Sequence, residues 1–380
     1  MRHLHFTQSL EPLNGGGLGS STLALHQELL ARGVDSTLCS TFGEAPQATA
    51  AGAFEFRRIK PDFLYYAPGL RKRTKDLVAN AEVVHGHGLY VGTNYVFGTE
   101  ARRQRKPLVY HVHGMFEPWV LGRSRWKKRL VHWLFEDANF KQVRLWRALT
   151  PKEADQIRVC GCRGPIVVAP NGLALEIFSR TIELATSIAT PLIPKLQKSS
   201  SRMLFLGRLH PKKGLDLLIS AFARLKRAHR DWELVIAGPD EHGYREKLHQ
   251  MAAILDLRGG CVRFTGPVTG QVKAALLRSA DLFVLPSYSE GFPMSLLEAM
   301  ASSIPVLATR ACNFSEITSS GAGWECEADV ESLTCALQTA LEAGELERIE
   351  RGKNGRRLVE RHYTWPSVIT TLLDACSAHC

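Results

Sequence analysis

Hydrophobic residues along this chain follow two patterns that alternate with each other. Short apolar runs without polar alternation, such as residues 283–285, predict strands that are buried on both faces of a sheet. Between these runs, apolar residues recur at helical spacing. The clearest helical set is Leu215, Leu218, Ile219, Phe222 and Leu225. Because strands and helices alternate along most of the chain, we predict an α/β protein with parallel sheets.

The length and one change of composition predict two domains. The chain has 380 residues, of which 45% are hydrophobic, so it can bury two cores. Residues 181–201 are rich in Thr, Ser, Pro and Lys and lack clear periodicity, which predicts a linker. We therefore expect an N-terminal domain over residues 1–180 and a C-terminal domain over residues 202–363.

A glycine-rich segment follows the first predicted strand. Residues 14–19 contain four glycines, and residues 20–22, all Ser or Thr, are good N-caps for a helix that Gly33 would end. In a loop, Gly16 and Gly17 would let a ligand approach the backbone closely. The alternative is a plain flexible turn, because the segment does not match a dinucleotide-binding fingerprint.

The segment of residues 282–299 combines a buried strand, a short loop and a helix start. Pro293 suits the first turn of a helix, so free backbone N–H groups near Gly291 would favour a phosphate. Glu290 and Glu298 flank that point. Their carboxylates could accept hydrogen bonds from the hydroxyls of a nucleotide-sugar. The alternative is a surface helix with two solvated glutamates.

A second segment combines glycines with cations. Gly207 follows the predicted strand of residues 202–206, and Arg208, Lys212 and Lys213 precede the next helix. Arginine can bind two phosphate oxygens at once, and lysine supplies a compact charge, so this loop suits a diphosphate. The alternative is an exposed basic loop.

Histidines lie at the ends of two predicted strands, at His85 and His87 and at His111 and His113. Ligands of open parallel sheets bind at the carboxyl ends of strands. Alternation along a strand puts His111 and His113 on the same face, and His113 is closer to the end. We expect His113, and less strongly His87, to take part in a site; the alternative is that these histidines are structural.

The net charge of +11 is concentrated in the first half of the chain. Residues 1–170 contain 24 Lys and Arg against 14 Asp and Glu, whereas the remaining residues contain 24 against 23. An anionic lipid, nucleic acid or acidic polymer would be drawn to that half. Trp126 and Trp133 lie among lysines and arginines, which is typical of a helix at a lipid interface. In the alternative, both tryptophans pack inward. The loop of residues 114–119 would lie over an acceptor.

Several classes of protein are excluded or disfavoured by what the sequence lacks. No window approaches about 18 consecutive apolar residues, and the first residues do not resemble an export signal. The nine cysteines form no CxxC pair, and Cys39, Cys261 and Cys335 are expected to be buried thiols. We expect a cytoplasmic, reduced protein.

Glu290 and Glu298, with seven residues between them and Gly291-Phe292 after the first, resemble the E-x7-E signature of family 4 retaining glycosyltransferases. The resemblance covers nearly the whole chain. It implies the GT-B fold, in which two Rossmann-like, doubly wound parallel-sheet domains face a central cleft, with N-terminal acceptor and C-terminal donor domains. A terminal helix of residues 364–380 would then return to the first domain. Many members have glycine in place of Pro293, which we interpret as a variation in donor contacts.

The resemblance also implies roles for individual residues. The expected catalytic residues are Arg208, Lys213, Glu290 and His113. The expected binding residues are Glu298, Gly291, Phe292, Gly16, Gly17, Gly207 and Pro267. Arg208 and Lys213 would hold the diphosphate, Glu298 the ribose and Glu290 the hexose. Pro170-Asn171-Gly172 resembles the turn that closes the first domain in the family.

The hypothesis is therefore a metal-independent hexosyltransferase without a cofactor, since the chain has no D-x-D pair. Its donor would be a UDP- or GDP-sugar, and its acceptor a lipid-linked or polymeric saccharide of cell-surface synthesis, reached from the cytoplasm at the inner face of the membrane. The alternatives are a GT-B sugar-nucleotide epimerase, a basic nucleic-acid-binding or lipid-binding protein, and an inactive scaffold. We do not expect nucleic acid as a partner.

Overall fold

The structure is a computed structural model. It describes residues 1–46, 50–59, 67–122, 125–178, 201–257 and 261–380, without the side chains of residues 12–16, 119, 125, 127 and 128. The chain forms two compact units. The first unit consists of Met1–Gly172 together with Trp365–Cys380, and the second consists of Leu173–Thr364. Most of the predicted linker lies outside the described residues, and its last residue, Ser201, begins a strand.

Each unit contains one parallel sheet. The strands of the first unit are β1 (His3–Ser9), β2 (Ser36–Phe42), β3 (Ala53–Arg57), β4 (Val83–His87), β5 (Leu108–His111), β6 (Val143–Ala148) and β7 (Ile166–Val168). Those of the second unit are β8 (Ser201–Leu206), β9 (Trp232–Ala237), β10 (Val262–Gly266), β11 (Leu282–Leu285), β12 (Val306–Thr309) and β13 (Gly323–Cys326). The predicted parallel α/β architecture is confirmed.

Helices connect these strands. Those before β8 are α1 (Pro12–Ala31), α2 (Pro68–Asn80), α3 (Gly92–Arg103), α4 (Pro118–Gly122), α5 (Arg125–Val131), a π-helix (His132–Glu136), α6 (Asp137–Phe140) and α7 (Pro151–Val159). The later ones are α8 (Leu215–Leu225), α9 (Tyr244–Ile254), α10 (Gly270–Arg278), α11 (Met294–Ala301), α12 (Glu316–Ser319), α13 (Val330–Glu342), α14 (Glu345–His362) and α15 (Trp365–His379). Short 3₁₀ helices cover Leu175–Phe178, Pro211–Lys213 and Arg310–Cys312.

The order of the strands reverses in the middle of each sheet. In the first unit the order is β3-β2-β1-β4-β5-β6-β7, and in the second it is β10-β9-β8-β11-β12-β13. The chain thus leaves β1 and β8 in one direction and later returns to build β4 and β11 on their other side. In open parallel sheets, ligands bind at the carboxyl ends of the strands at this reversal. The loops after β8 and β11 therefore lie where a ligand is expected to bind.

The apolar cores follow this division. In the second unit, α8 and α11 pack on β8 and β11 in one large cluster that includes Leu218, Phe222 and Phe283. In the first unit, the terminal helix α15 packs with α1 against one face of the sheet, where Trp365 and Ile369 meet Val109 and other apolar residues. The terminal helix is therefore part of the first unit in three dimensions.

The glycine-rich segment is helical, and the predicted loop there is wrong. Helix α1 begins at Pro12, so Gly16 and Gly17 lie in its first turns. Thr22 does not cap the helix from outside; its hydroxyl donates to the Leu18 carbonyl within it (2.8 Å). At Gly19, a Cβ atom would lie 2.5 Å from the Ser9 carbonyl oxygen, so glycine allows the helix to approach the end of β1.

Two further expectations concern burial. Cys39 and Cys261 are buried as predicted, but Cys335 is exposed on α13, because it lies on the face of that helix opposite the core residues Leu333 and Leu337. No helix among the described residues is both long and apolar enough to cross a bilayer.

Candidate functional site

The loops after β8 and β11 lie directly against each other. Gly214 ends the first loop with a left-handed φ of 66°, and a Cβ there would lie 2.0 Å from the Pro286 carbonyl oxygen. The Tyr288 amide donates to the Lys212 carbonyl at 2.9 Å. Any side chain at position 214 would separate the two loops. The sequence therefore brings its two proposed phosphate segments into contact through a glycine.

Glu290 is buried at the centre of this contact. Its Oε1 accepts a hydrogen bond from Lys213 Nζ (2.6 Å) and another from Ser287 Oγ (2.6 Å). Burial alone would raise the pKa of Glu290, but the charge of Lys213 and the hydrogen bonds from Lys213 and Ser287 outweigh it and hold the pKa below its ordinary value. Glu290 is therefore an ionised carboxylate whose second oxygen, Oε2, can accept from a ligand.

Glu298 is also buried and paired with a lysine. It lies in α11, and its Oε1 accepts from Lys273 Nζ of α10 at 2.6 Å. Both glutamates of the E-x7-E pattern are thus fixed carboxylates, and the alternative of two solvated surface glutamates is wrong.

Backbone donors lie beside Glu290. Among the described residues, no acceptor contacts the N–H groups of Gly291 and Phe292, which precede the start of α11. The Phe292 side chain packs inward, with its ring 6.3 Å from that of Phe314 and 6.1 Å from that of Tyr363. The group that Phe292 offers to an anion is its backbone N–H. Free amides at a helix start, next to Lys213, form a favourable place for an anion.

Arg208 forms an ion pair with Glu241 rather than with a residue of the loop that holds Glu290. Its Nη1 donates to Glu241 Oε2 at 2.8 Å, and its side chain is 61% exposed. The reason is the strand order: Arg208 follows β8 and Glu241 follows the neighbouring β9. The loop backbone there is tight, since a Cβ at Gly238 would lie 1.8 Å from the Gly207 carbonyl oxygen. Pro267 is exposed after the edge strand β10.

The first unit contains six histidines in two hydrogen-bonded rows. The Arg147 row runs from Arg147 Nη1 to His111 Nδ1 (3.1 Å), from His111 Nε2 to His85 Nδ1 (3.0 Å), and from His85 Nε2 to His3 Nδ1 (2.9 Å). The rings of all three histidines are buried. Because arginine stays protonated and can only donate, every nitrogen in this row has a defined role.

The second row consists of His5, His87 and His113, and we call it the His113 row. His5 Nδ1 lies 3.0 Å from His87 Nε2, and His87 Nδ1 lies 3.1 Å from His113 Nε2. Burial, with a smaller contribution from Arg147, lowers the pKa of His113 to about 3. The rings of both rows are therefore neutral at pH 7.

The histidines could also be considered as metal ligands. Nitrogens of His5, His87 and His111 lie within 4.8 Å of one another. However, the His87 and His111 rings are stacked, with centroids 4.0 Å apart and planes at 23°, so their lone pairs do not converge on one point. The cation of Arg147 borders the group as well. This geometry favours hydrogen-bonded rows over a metal centre.

The segment with Trp126 and Trp133 exposes its apolar side chains. Trp126 is 68% and Trp133 is 77% exposed, so the alternative in which both tryptophans pack inward is wrong. The segment is held by Glu136 at the end of the π-helix, which accepts from the Tyr90 amide (2.6 Å) and from Asn94 Nδ2 (2.9 Å). A recess of about 420 Å³ lies beside it, lined by Tyr90, Phe116, Leu121, Arg129, His132, Phe140 and Cys160.

Several site residues escaped the sequence interpretation. Lys273 and Arg147 have no local signal, because each finds its partner through the fold. The histidine rows did have a local sequence signal. The pattern His-x-His occurs three times, at residues 3–5, 85–87 and 111–113, each in or at the end of a predicted strand.

Two family models match the chain, each over the greater part of one unit. The model of the glycosyl transferases group 1 matches residues 193–358, and that of glycosyltransferase family 4 matches residues 15–177. The MMP alpha-(1->4)-mannosyltransferase of Mycolicibacterium hassiacum is 38% identical over 165 residues, which are 42% of this chain and 38% of that protein. The phosphatidyl-myo-inositol mannosyltransferase of Mycobacterium leprae is 36% identical over 148 residues, or 38% and 35% of the two chains.

The matches to the first curated relatives span only 38% to 57% of the length of those proteins. A solved structure of Anabaena HepE in complex with UDP and glucose is similar over 99% of both chains, with a TM-score of 0.80 and 19% identity. At this identity the likeness concerns the fold.

Proposed function

Since this chain belongs to the group 1 glycosyltransferases of family 4 type, which have the GT-B fold, we propose that it moves a hexose from a UDP- or GDP-sugar to a saccharide acceptor with retention of anomeric configuration. The expected cleft between the two domains is part of this proposal.

The cluster of Lys213, Glu290 and Ser287 beside the free amides of Gly291 and Phe292 carries the proposal. A diphosphate needs cations and N–H donors, whereas sugars need acceptors. Here Lys213 and the amides supply the cation and the N–H donors for the diphosphate, and Glu290 Oε2 supplies an acceptor for the sugar. Because Glu290 fixes Lys213 through a short ion pair, the lysine is held in place before a donor arrives.

In the proposed reaction, the bond between the anomeric carbon and the diphosphate oxygen breaks, and a bond to the acceptor oxygen forms on the same face of the sugar. The acceptor hydroxyl loses its proton to the departing phosphate oxygen. Negative charge grows on the diphosphate, where Lys213, Arg208 and the backbone amides stabilise it. No enzymic nucleophile and no metal enter this scheme, so the protein's own donors neutralise the leaving group.

Arg208 can reach this role only by exchanging partners. Arg208 lies on the loop that also holds Lys213. In the structure its exposed side chain forms an ion pair with Glu241. Exposed ion pairs contribute about 0–1 kcal/mol, so the diphosphate can compete for the guanidinium. Glu298, held by Lys273, would accept from the ribose hydroxyls, and His113 would face the transferred sugar or the acceptor.

For the acceptor, we propose a lipid-linked or polymeric saccharide at a membrane surface, met by the first unit. Two features support it: the exposed Trp126 and Trp133, and the excess of Lys and Arg in residues 1–170. The name of the Mycobacterium leprae relative, a phosphatidyl-myo-inositol mannosyltransferase, supports it as well.

The test is a thermal-shift panel of UDP-, GDP- and ADP-sugars on the full chain, followed by product analysis. The correct donor should raise the melting temperature, since a ligand at about 100 times its Kd stabilises by about 2.7 kcal/mol. Lys213→Ala should abolish the shift, whereas Lys226→Ala, far from the site on the end of α8, should keep it. No shift with any donor would contradict the proposal. An epimerised product from donor alone would favour the epimerase.

A further inference from the structure

The His113 row ends in two very different environments. At one end, His5 Nε2 is buried, and no described residue forms a hydrogen bond with it. At the other end, His113 is only partly buried, and its Nδ1 has no partner among the described residues. Between them, His87 bonds to both neighbours through its two ring nitrogens. A neutral imidazole has one N–H and one acceptor nitrogen, so the proton positions in the row depend on each other.

The protons of the His113 row can be arranged in two ways, with the hydrogen bonds donated either from His113 towards His5 or from His5 towards His113. The environment of His5 determines which arrangement is preferred. If the row donated from His113 towards His5, His5 would carry its proton on Nε2, as an N–H group buried without an acceptor. Orphaned buried N–H groups are rarer than unsatisfied acceptors. In the opposite arrangement, His5 Nδ1–H donates to His87 Nε2, and His87 Nδ1–H donates to His113 Nε2. The proton of His113 must then be on Nδ1.

The neighbouring Arg147 row supports this direction. There Arg147 donates to His111, so His111 Nε2–H donates to His85 Nδ1 and His85 Nε2–H to His3 Nδ1. Protons therefore lie on Nε2 throughout that row, and the hydrogen bonds run in the opposite direction. The rows touch where His5 stacks on His85, with centroids 4.3 Å apart, and where His87 stacks on His111. Antiparallel dipoles side by side attract each other.

We propose that His5 and His87 are positioning residues that hold His113 as the Nδ1–H tautomer, so that it presents a hydrogen-bond donor to a sugar hydroxyl. This rests on the proposed function for the identity of the ligand, but the tautomer itself does not. Since Nδ1 carries a proton and Nε2 is occupied by His87, His113 cannot remove a proton from the acceptor. The row therefore deepens the proposed mechanism, in which the departing phosphate takes that proton.

The tautomer can be read without any substrate. In long-range ¹H–¹⁵N spectra of the ¹⁵N-histidine protein, the His113 signals are assigned by their loss in His113→Gln. The expected result for the parent is a proton on Nδ1. In His87→Phe, which keeps a ring but removes both hydrogen bonds, His113 should shift to the Nε2–H form or a mixture. In His87→Gln, whose amide can accept from His5 and donate to His113, the Nδ1–H form should be retained.

The matched control is His85→Phe. His85 is as buried as His87 and lies two residues earlier on the same strand, but it belongs to the Arg147 row. Its replacement should destabilise the protein about as much and leave the His113 tautomer unchanged. An Nε2–H form of His113 in the parent would overturn the proposal, and so would an unchanged tautomer in folded His87→Phe. A stoichiometric transition metal bound to the purified protein would overturn it too.

Kinetics give a second readout once a donor is known. His87→Phe should lower kcat/KM by roughly 10-fold to 100-fold, as is typical when a partner that orients a functional histidine is lost. His87→Gln should recover most of that loss, and His85→Phe should stay within about threefold of the parent. If no donor is turned over but the tautomers are as expected, the proposed function fails while the positioning role of the row stands.

Discussion

Charged residues are buried in both units, and each has specific partners. Glu290 and Glu298 have lysine partners at 2.6 Å, and the Arg147 guanidinium also donates to the Ala169 carbonyl at 2.7 Å. A buried charge without such partners would cost several kcal/mol. Burying such residues carries a desolvation penalty. We therefore favour Glu290 and Lys213 over the exposed charges around them as the functional pair.

Arg208→Ala tests the proposed diphosphate contact. We expect transfer to fall by roughly 10²–10³, the loss typical of one preorganised charge partner. Stability should hardly change, since the pair with Glu241 is largely exposed. Arg224→Ala is the control, because Arg224 is also an exposed arginine paired with a glutamate, Glu331, but lies on α8. Initial rates at saturating donor decide the matter; activity of Arg208→Ala within about threefold of the parent would contradict the assignment.

The histidine rows predict a stability that declines in mild acid. Burial lowers the pKa of His3 from 6.5 to about 4 and holds that of His85 well below 6.5. Between pH 6.5 and 4 the unfolded chain therefore binds more protons than the folded one, and the free energy of unfolding decreases as the pH falls. Each such histidine contributes up to about 1.4 kcal/mol per pH unit in that window.

Urea denaturation followed by circular dichroism at pH 7.5, 6.5 and 5.5 measures this decline. The midpoint should fall between the first two values and fall more steeply between the second and the third. His85→Phe removes one titrating group and should make the decline shallower. A midpoint independent of pH across this range would mean that the rows do not stay neutral in the folded protein.

Sequence could identify these site residues only where their partners are nearby in the chain or follow a known pattern. Glu290, Glu298 and Lys213 were recognised in this way, and the structure places Lys213 on Glu290. Lys273 was not, because 25 residues separate it from Glu298. Arg147 was not, because its partners lie on β5 and in the Pro170-Asn171 turn. The present partner of Arg208, Glu241, could not be predicted for the same reason, because the pairing of β8 with β9 brings the two residues together.

At the scale of elements, the loop that carries Lys213 depends on a glycine. Gly214→Ala would place a Cβ 2.0 Å from the Pro286 carbonyl oxygen, in addition to the cost of a left-handed φ. Gly243→Ala is the matched control: Gly243 has a similar φ of 73° and also precedes a helix, but no atom lies within 4 Å of its Cβ position. The control isolates the backbone strain, which costs of order 1–3 kcal/mol.

We expect Gly214→Ala to lower the melting temperature more than Gly243→Ala does, because only the first must also push the β8 and β11 loops apart. Donor binding should weaken with Gly214→Ala alone, since Lys213 precedes the displaced residue. Differential scanning fluorimetry and donor titration provide both numbers. Equal losses in the two variants would show that the close contact between the loops is not essential.

Elements with strong periodicity could be predicted from sequence, whereas the start of α1 could not: the helix was expected to begin after residues 20–22, and it begins at Pro12. Strands β1, β4, β8 and β11 and helix α8 are all found where the hydrophobic pattern puts them. In α1, local glycine preference pointed to a loop, but packing on β1 requires the small residue at Gly19 and makes the segment helical. Tertiary contact outweighed propensity there. The edge strands β3 and β13 were missed because their sequences, AFEFR and GWEC, contain polar residues and are not continuous apolar runs.

At the scale of the whole molecule, charge and exposed aromatic residues coincide. The excess of Lys and Arg lies within residues 1–170, the same part of the chain that exposes Trp126 and Trp133. Either feature alone would be ordinary. Together they suit an anionic membrane surface, whose head groups are charged and whose interior is apolar. Each basic residue near such a surface contributes about 1 kcal/mol to binding, and tryptophan prefers the membrane interface.

This coincidence predicts two separable contributions to membrane binding. The full chain should co-sediment with vesicles containing anionic lipid at low salt, less so at about 0.15 M salt, where charges are screened beyond about 8 Å. Trp126→Ser with Trp133→Ser should weaken binding at both salt concentrations, because it removes apolar contact and leaves the charge unchanged. Ile254→Ser with Leu346→Ser, which removes two exposed apolar side chains from the second unit, should have no effect. If both double variants bind like the parent, the tryptophans do not contact lipid. If the parent itself does not co-sediment at low salt, the proposal of a membrane-bound acceptor is lost, whereas the proposed donor site is unaffected.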